Sequence, residues 1–405
     1  MEGIVSDGRG EARKIFPLKR VGKDPVVGVG NPMLTDEEKH THFPSLREIT
    51  YLNTAAEGIP VQASREAMDV YFSHKSMGMA GRELLFEEEA NCRESAAGLL
   101  GLSASEVSFC SCTSEAYNLL CSSLELGPED EVVITDLDFP SGATPWIQAQ
   151  GSPQVNIWKS QGGGLGLSDL DTLLNEKTKL VQVSLVSFLT GYRIEWPEFH
   201  DLVRAKAPNA ILSVDVTQAF GRVELDCLDA DCIIGSSYKW LLGTHGSCVV
   251  AVPEKSREKI TVRAGGWYHL ENAFAEDRFT RAVPFPGAKG FAVGMPAFPS
   301  IYALRAGIDF LREQGVAAIA KHADSLVAQL HEGLADLGVK TMSPHQPGNS
   351  SGIVSFQSED DAAIHDQLLE QGIHVMHQAG RIRIAIHGYN RSEDIDAVLK
   401  VLAGG

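Results

Sequence analysis

Apolar residues in the first part of the chain occur in short runs rich in Val and Ile, and stretches with helical spacing of apolar positions separate these runs. The runs are apolar throughout instead of at alternate positions, which is typical of strands covered on both faces of a mostly parallel sheet. We therefore predict an α/β fold with a mostly parallel seven-stranded sheet. Its predicted strands are residues 107–112, 131–135, 154–158, 179–186, 210–214, 231–235 and 247–252.

A different pattern begins near residue 298, where two helical stretches are followed by short strands and helices, as in an α+β domain. Residues 1–50 carry Gly, Pro and charge with little periodicity, and we interpret them as an N-terminal arm. The sequence thus predicts this arm, a large domain over 51–297 and a smaller domain over 298–405. In the smaller domain the predicted helices are 301–312, 316–337, 360–370 and 392–402, and the predicted strands are 340–342, 352–356, 374–376 and 381–386.

The charge balance excludes one class of partner. The 405 residues include 35 Lys and Arg against 53 Asp and Glu, which gives a formal net charge of −18. Such an acidic surface repels phosphate backbones, so we expect no nucleic-acid partner. No apolar run is long enough to span a bilayer and the N-terminus has no apolar signal region, so we expect neither membrane insertion nor secretion.

The seven cysteines are an odd set, and none lies beyond Cys248. This usage is typical of reduced thiols in a cytoplasmic protein. Cys110 and Cys112 form a C-x-C pair, but the neighbouring sequence supplies neither a histidine nor a second thiol pair. We therefore predict buried strand thiols there and no metal site.

Two buried strands in the middle of the chain are followed by residues suited to covalent chemistry. One strand leads into Asp215 and Gln218, and the next leads into Ser236 and Lys239. In open parallel sheets, ligands bind beyond the carboxyl ends of the strands. A lysine there can form a Schiff base with an aldehyde cofactor, and an acid can keep a pyridinium nitrogen protonated. This pairing predicts pyridoxal phosphate as the cofactor.

Over roughly residues 51–402 the sequence resembles the class V aminotransferase family, whose members are fold-type I pyridoxal-phosphate enzymes and include cysteine desulfurases, kynureninase and isopenicillin N epimerase-like proteins. The most specific part of the resemblance is Asp215-x-x-Gln218 followed by Ser236-x-x-Lys239. The resemblance implies a fold-type I transferase architecture. It also implies that Lys239 forms the Schiff base, that Asp215 contacts the pyridinium nitrogen, and that Gln218 contacts the phenolic oxygen of the cofactor.

A second motif concerns the phosphate of the cofactor. Thr113 and Ser114 follow a predicted strand and open an apolar helix, whose first N–H groups attract an anion. The segment resembles the family's Gly-Thr-Thr-Glu segment, which holds the phosphate, with Cys112 in place of the glycine. The resemblance adds Ser236 as a second phosphate contact and Tyr238 as a further cofactor contact.

Three further residues complete the predicted site. The resemblance implies that Phe139 lies against the cofactor ring. The alternative is that Phe139 only packs in the hydrophobic core. Arg383 matches the family's anchor for the α-carboxylate of an amino acid, and arginine pairs with carboxylate through two hydrogen bonds. Arg381 alternates onto the same strand face. We expect this face to be exposed at Arg381, and an exposed face is the alternative for Arg383. Asn53 matches an N-terminal loop on the substrate side.

Two departures from the family pattern limit which features of the family we expect in this protein. Residues 376–380 contain no cysteine, although persulfide-forming desulfurases need a thiol just before the Arg383 strand. Met295 replaces a hydroxyl residue that, in relatives, reaches the phosphate of the cofactor in the partner subunit.

Among several histidines that could act as a base, His377 is the best placed.

We therefore expect a cytoplasmic, homodimeric pyridoxal-phosphate enzyme that acts on an α-amino acid, with Lys239 as the base for the α-proton. Transamination and β-elimination, including carbon–sulfur cleavage, are the leading reactions. An epimerase of the isopenicillin N epimerase-like type and a non-catalytic pyridoxal-phosphate-binding protein are the alternatives. A nicotinamide dehydrogenase does not fit, because no G-x-G-x-x-G follows the first predicted strand.

Overall fold

The structure, a computed structural model, describes residues 33–404. Within that range no helix is both long enough and apolar enough to cross a bilayer. The helices are α1 (Asp36–His42), α2 (Gln62–Ser76), α3 (Arg82–Leu100), α4 (Thr113–Ser123), α5 (Pro140–Ile147), α6 (Leu167–Asp171), α7 (Trp196–Lys206), α8 (Phe298–Gln314), α9 (Val316–Asp336), α10 (Asp361–Glu370) and α11 (Ser392–Ala403). The strands are β1 (Thr50–Tyr51), β2 (Val107–Cys110), β3 (Glu131–Thr135), β4 (Gln154–Trp158), β5 (Thr178–Ser184), β6 (Ile211–Asp215), β7 (Cys232–Ser236), β8 (Cys248–Ala251), β9 (Ile353–Gln357), β10 (Ile373–His374), β11 (Met376–His377) and β12 (Arg381–Ala385).

The seven strands predicted from apolar runs form one sheet, in the order β2-β8-β7-β6-β5-β3-β4. Strand β8 is antiparallel to both of its neighbours, and the other neighbouring strands are parallel. The predicted α/β fold with a mostly parallel seven-stranded sheet is therefore confirmed. The first strand ends at Cys110, before the predicted end, because Cys112 is the residue that precedes helix α4.

Both faces of this sheet are covered by helices, which explains why its central strands β6 and β7 are buried at every position. On β5, Val181 and Val183 pack into a core with residues of α3, α7 and α8. Leu180, on the opposite face, packs into a second core with residues of α4 and α5. The outer strand β4 is more exposed, since helices cover it less completely.

The C-terminal part contains an antiparallel sheet of three strands, in the order β11-β12-β9. Helices α9 and α11 pack against it around buried residues such as Leu330 and Ile395. The predicted strand 340–342 is reduced to a single bridge between Thr341 and Phe356. Strand β1 pairs with β10, and Asn53 bridges Ala385, so the start of the predicted large domain pairs with C-terminal strands.

The predicted N-terminal arm includes a folded portion. Residues 1–32 of that arm lie outside the described residues. Helix α1 begins with a capping box formed by Thr35 and Glu38. Directly after it, Phe43 is fully buried and packs edge-on against Phe310. Phe43 therefore attaches this part of the arm to the core, and its burial was not visible in the apolar pattern.

Candidate active site

A pocket lies beyond the carboxyl ends of β3, β5, β6 and β7. This is the edge at which open α/β sheets bind ligands. Seven of the ten predicted site residues line it, and Ser114, Asn53 and Arg383 lie outside its lining. The lining consists of Thr113, Phe139, Ser141, Ser184, Val186, Phe188, Asp215, Thr217, Gln218, Ser236, Tyr238 and Lys239.

Lys239 follows β7 and its side chain is almost completely buried, with 8% exposed. The Nζ atom lies 5.5 Å from the centre of the Phe139 ring and 5.5 Å from the centre of the Tyr238 ring. Burial, followed by the positive charge of Arg383, lowers the pKa of Lys239 to about 8. An amine in this environment is neutral more often than a surface lysine, so it can act as a nucleophile or a base near neutral pH.

Asp215 is the last residue of β6, and its carboxylate is held by two hydrogen bonds. The backbone N–H of Thr217 donates to Oδ1 at 2.7 Å, and the hydroxyl of Tyr117 donates to Oδ2 at 3.1 Å. Gln182 in turn donates to the Tyr117 hydroxyl at 3.3 Å. Burial raises the pKa of Asp215, whereas these donors and the charge of Lys239 oppose that rise. The carboxylate is thereby fixed at the wall of the pocket.

The side chain of Gln218 is tied to two other parts of the protein. Its Nε2 donates to the carbonyl of Ala55 at 3.0 Å, and its Oε1 accepts from the indole N–H of Trp240 at 2.7 Å. These two bonds leave the second N–H of the Gln218 amide free to donate to a ligand in the pocket. Gln218 therefore also fastens the N-terminal segment to the site.

The same N-terminal segment approaches the backbone of Lys239 closely. The N–H of Gly58 donates to the carbonyl of Tyr238 at 2.8 Å. A Cβ atom at Gly58 would lie 2.0 Å from the carbonyl oxygen of Lys239, so only glycine fits at this position. The segment from Asn53 to Gly58 thus covers the residues that carry the lysine.

The polar end of the pocket is formed at the start of α4. Cys112, which precedes the helix, has φ −163°, an extended conformation that any residue adopts, so a cysteine in place of glycine causes no strain there. The Thr113 hydroxyl donates to the Ser141 hydroxyl at 3.3 Å. Ser114 is exposed in the first turn. The N–H groups of this turn and the hydroxyls of Thr113 and Ser236 form an arrangement that suits an anion.

An aromatic pair forms one side of the pocket. The rings of Phe139 and Phe188 meet edge to face with 5.0 Å between their centres. Next to them Asp138 is buried, which raises its pKa to about 7, and it accepts a hydrogen bond from Ser184 at 2.8 Å. Sequence analysis missed Phe188, although it follows β5 at the same edge where Asp215 ends β6.

Arg383 lies beside this aromatic pair and has only 2% of its side chain exposed. Its Nη1 donates to the carbonyl of Phe188 at 2.8 Å, whereas its Nε and Nη2 have no partner among the described residues. Burial and the charge of Arg381 lower the pKa of Arg383 to about 10, so it remains a cation at neutral pH. The Oδ1 atom of Asn53, on the adjoining segment, is also buried and has no hydrogen-bond partner within residues 33–404.

None of the residues lining the pocket is a histidine. His377 is paired across the strands with Ile382, on the opposite face of β12 from Arg383, and its Nε2 lies 3.2 Å from Asp361. His245 lies at the rim, where its ring stacks on that of Tyr238 with 4.2 Å between centres. The suggestion that His377 acts as a base is therefore unsupported by its position.

Sequence comparison matches the chain to a known protein family. The family model described as "Aminotransferase class-V" matches residues 51–398. The uncharacterized aminotransferase YcbU of Bacillus subtilis is 26% identical, covering 91% of this chain and 97% of the relative. A probable cysteine desulfurase of Pyrococcus abyssi is 26% identical over the same shares of the two chains.

Solved structures show the same fold. The apo structure of a cysteine desulfurase from Thermococcus onnurineus NA1 has a TM-score of 0.82 at 23% identity, covering 91% of this chain and 97% of that chain. The cystine C–S lyase C-DES, solved with its product cysteine persulfide, has a TM-score of 0.81 at 22% identity, covering 89% and 99% of the two chains. The chain therefore belongs to the aminotransferase class-V family of pyridoxal-phosphate-dependent enzymes.

Proposed function

We propose that the protein is an aminotransferase that transfers the amino group of an α-amino acid, with Lys239 as the base that moves the α-proton. The observation that carries this proposal is the pocket around Lys239. The Lys239 amine lies 5.5 Å from the ring centres of Phe139 and Tyr238, burial and the charge of Arg383 lower its pKa to about 8, and no histidine is among the described residues that line the pocket.

The residues present fit pyridoxal phosphate. An amine and a fixed carboxylate, those of Lys239 and Asp215, line one pocket, and the start of α4 with Thr113 forms its polar end. Lys239 would hold the aldehyde carbon, Asp215 the ring nitrogen, and Thr113 with Ser236 the phosphate. When bound, the cofactor supplies an electron sink for the α-carbon of the substrate.

The side chains of this protein then have separable tasks. Arg383 binds the α-carboxylate through its free N–H groups and thereby orients the α-carbon. The Nζ of Lys239 removes the α-proton of the substrate and delivers it to the aldehyde carbon of the cofactor. This is the proton transfer that transamination requires. Phe139 and Phe188 limit the access of water to this pocket.

Carbon–sulfur cleavage is the second candidate, and the names of several relatives favour it, among them the probable cysteine desulfurase of Pyrococcus abyssi. Two features of this chain argue against a persulfide-forming desulfurase. The turn between β11 and β12 has no cysteine, and Phe139 has no ionisable group with which to protonate a leaving group. We therefore place transamination first.

The test is the visible spectrum of the purified protein, loaded with pyridoxal phosphate, during exposure to a panel of amino acids. For an aminotransferase the yellow colour is expected to bleach lastingly with a substrate and to return when an α-keto acid is added. Release of sulfide and pyruvate from cysteine or cystine, with the colour recovering without a keto acid, would assign the protein to C–S cleavage instead.

We further propose that the protein is a homodimer. Large apolar side chains are exposed in two segments, with Met79 at 75%, Phe274 at 82% and Phe279 at 87%. Exposed apolar clusters of this kind mark protein interfaces. Sedimentation equilibrium is expected to give twice the mass of the chain, and Phe274→Asp with Phe279→Asp is expected to shift the protein towards the monomer. A monomer at all concentrations would contradict the proposal.

A further inference from the structure

Arg381 and Arg383 form a pair of buried cations in β12. They are two residues apart on the strand, so their side chains leave the same face. Only 3% of Arg381 and 2% of Arg383 is exposed. One guanidinium nitrogen of each donates to a carbonyl, from Arg381 to Gln378 at 3.2 Å and from Arg383 to Phe188 at 2.8 Å. The Nε and Nη2 atoms of both have no partner among the described residues.

This arrangement is unfavourable without a ligand. Burial lowers the pKa of both arginines, and within residues 33–404 no acidic group is close enough to oppose that effect. The two charges also repel, since the charge of Arg381 contributes to the lowered pKa of Arg383. A buried guanidinium that is unpaired is costly, and a pair of anions would relieve the cost at both positions.

Both arginines adjoin the pocket that contains Lys239. Phe188 lines that pocket, its carbonyl accepts from Arg383, and its ring lies 5.9 Å from the Cζ atom of Arg381. The charge of Arg383 is also one of the causes of the lowered pKa of Lys239. The two cations therefore both adjoin Phe188, which lines the pocket.

We infer that the substrate carries a second anionic group and is an amino acid with an acidic side chain. This inference rests on the proposed function. Arg383 pairs with the α-carboxylate, and Arg381 pairs with the carboxylate of the side chain. Two residues on one strand face are separated by about 7 Å between Cα atoms, a span that flexible arginine side chains can adapt to a dicarboxylate.

The specificity follows from the cost of leaving Arg381 unpaired. A neutral amino acid satisfies Arg383 and leaves the second cation buried without a partner. A charge-assisted hydrogen bond at such a position corresponds to about a 10- to 100-fold preference in kcat/KM for the acidic substrate. Arg381 is thus a specificity-determining residue, whereas Arg383 serves every amino acid.

The first experiment uses the unaltered holoenzyme and needs no variant. Binding of glutarate and of butyrate, which have no amino group and cannot react, is measured by calorimetry. Glutarate is expected to bind at least about 10-fold more tightly than butyrate, since it alone has two carboxylates. Equal affinities would overturn the inference, and this readout is independent of whether the enzyme transaminates.

The second experiment compares Arg381→Gln with Arg381→Lys, and uses Arg257→Gln, a substitution of a half-exposed surface arginine, as the matched control. We expect Arg381→Gln to remove the preference of kcat/KM for aspartate and glutamate over alanine and leucine, and Arg381→Lys to retain part of it. The Arg257→Gln variant is expected to keep the full preference.

The outcomes separate the two proposals. If no amino acid bleaches the cofactor but glutarate binding still depends on Arg381, the proposed function is wrong and the dianion site stands. If amino acids react and Arg381→Gln keeps the preference, the inference is wrong and the aminotransferase stands. A change in the monomer–dimer equilibrium with an unchanged preference would assign Arg381 to an acidic group of a second copy, and would also overturn the inference.

Discussion

Replacement of Lys239 by alanine is expected to lower turnover by at least about 100- to 10,000-fold, the usual contribution of a positioned proton-transfer group. The variant loses both the nucleophile and the base, because one amine serves both tasks. The fold is expected to remain intact, since the side chain lies between the rings of Phe139 and Tyr238 at the pocket wall and is not part of the hydrophobic core. The measurements are turnover with the substrate found in the panel and the midpoint of thermal unfolding.

Lys177→Ala is the matched control for this variant. Lys177 precedes β5 with 60% of its side chain exposed and makes a surface ion pair with Glu129 at 3.5 Å. Surface pairs of this kind contribute about 0–1 kcal/mol, so both turnover and unfolding are expected to be unchanged. A Lys239→Ala protein that keeps its turnover while the cofactor remains bound would show that another group moves the proton.

The sheet and half of the site were predictable because they rest on local patterns. The central strands β6 and β7 are buried on both faces, so each appears in the sequence as a short, mainly apolar run regardless of its neighbours. Asp215 and Lys239 follow two such runs that are adjacent in the sheet, and the carboxyl ends of parallel strands meet at one edge. Their convergence therefore follows from strand order alone.

The residues that sequence analysis missed depend on contacts between distant parts of the chain. Tyr117 has an ordinary helical position in α4, and its bond to Asp215 joins residues 98 positions apart. Gly58 is required only because its segment crosses the backbone of Lys239, which a one-dimensional pattern does not show. In the same way, His377 was favoured by its proximity in sequence, yet strand pairing turns it to the opposite face from Arg383.

Arg381 shows how a strand pattern can mislead. Alternating charged and apolar residues ordinarily indicate one exposed face, and the sequence predicts such a face for this arginine, but only 3% of Arg381 is exposed. Instead β12 is the middle strand of its sheet, with β11 on one side and β9 on the other, and the segment carrying Phe188 lies over its charged face. The alternating pattern thus correctly indicates that Arg381 and Arg383 share a face of the strand. It does not show that the segment carrying Phe188 covers that face.

Replacement of Arg383 by methionine is expected to weaken binding of the amino acid by about 2–5 kcal/mol, or about 30- to 5,000-fold in KM. Much of this loss arises because the substrate carboxylate then enters a buried site without its two hydrogen bonds. Arg383→Lys is the matched variant, since it keeps the charge without the planar pair of donors. Its KM is expected to lie between those of the methionine variant and the unaltered protein.

The pH profile gives a second and independent readout of the same substitution. The charge of Arg383 helps to lower the pKa of Lys239 to about 8, so removing that charge raises the pKa. Lys239 is a nucleophile only when neutral, so the rate at which the cofactor-free protein takes up pyridoxal phosphate rises with pH through this pKa, and in Arg383→Met the rise is expected to move to higher pH. In Arg383→Lys the rise is expected to stay close to its original position, because the charge is retained. An unchanged KM, or identical pH profiles for the two variants, would mean that Arg383 supports the strand and does not face the reacting amino acid.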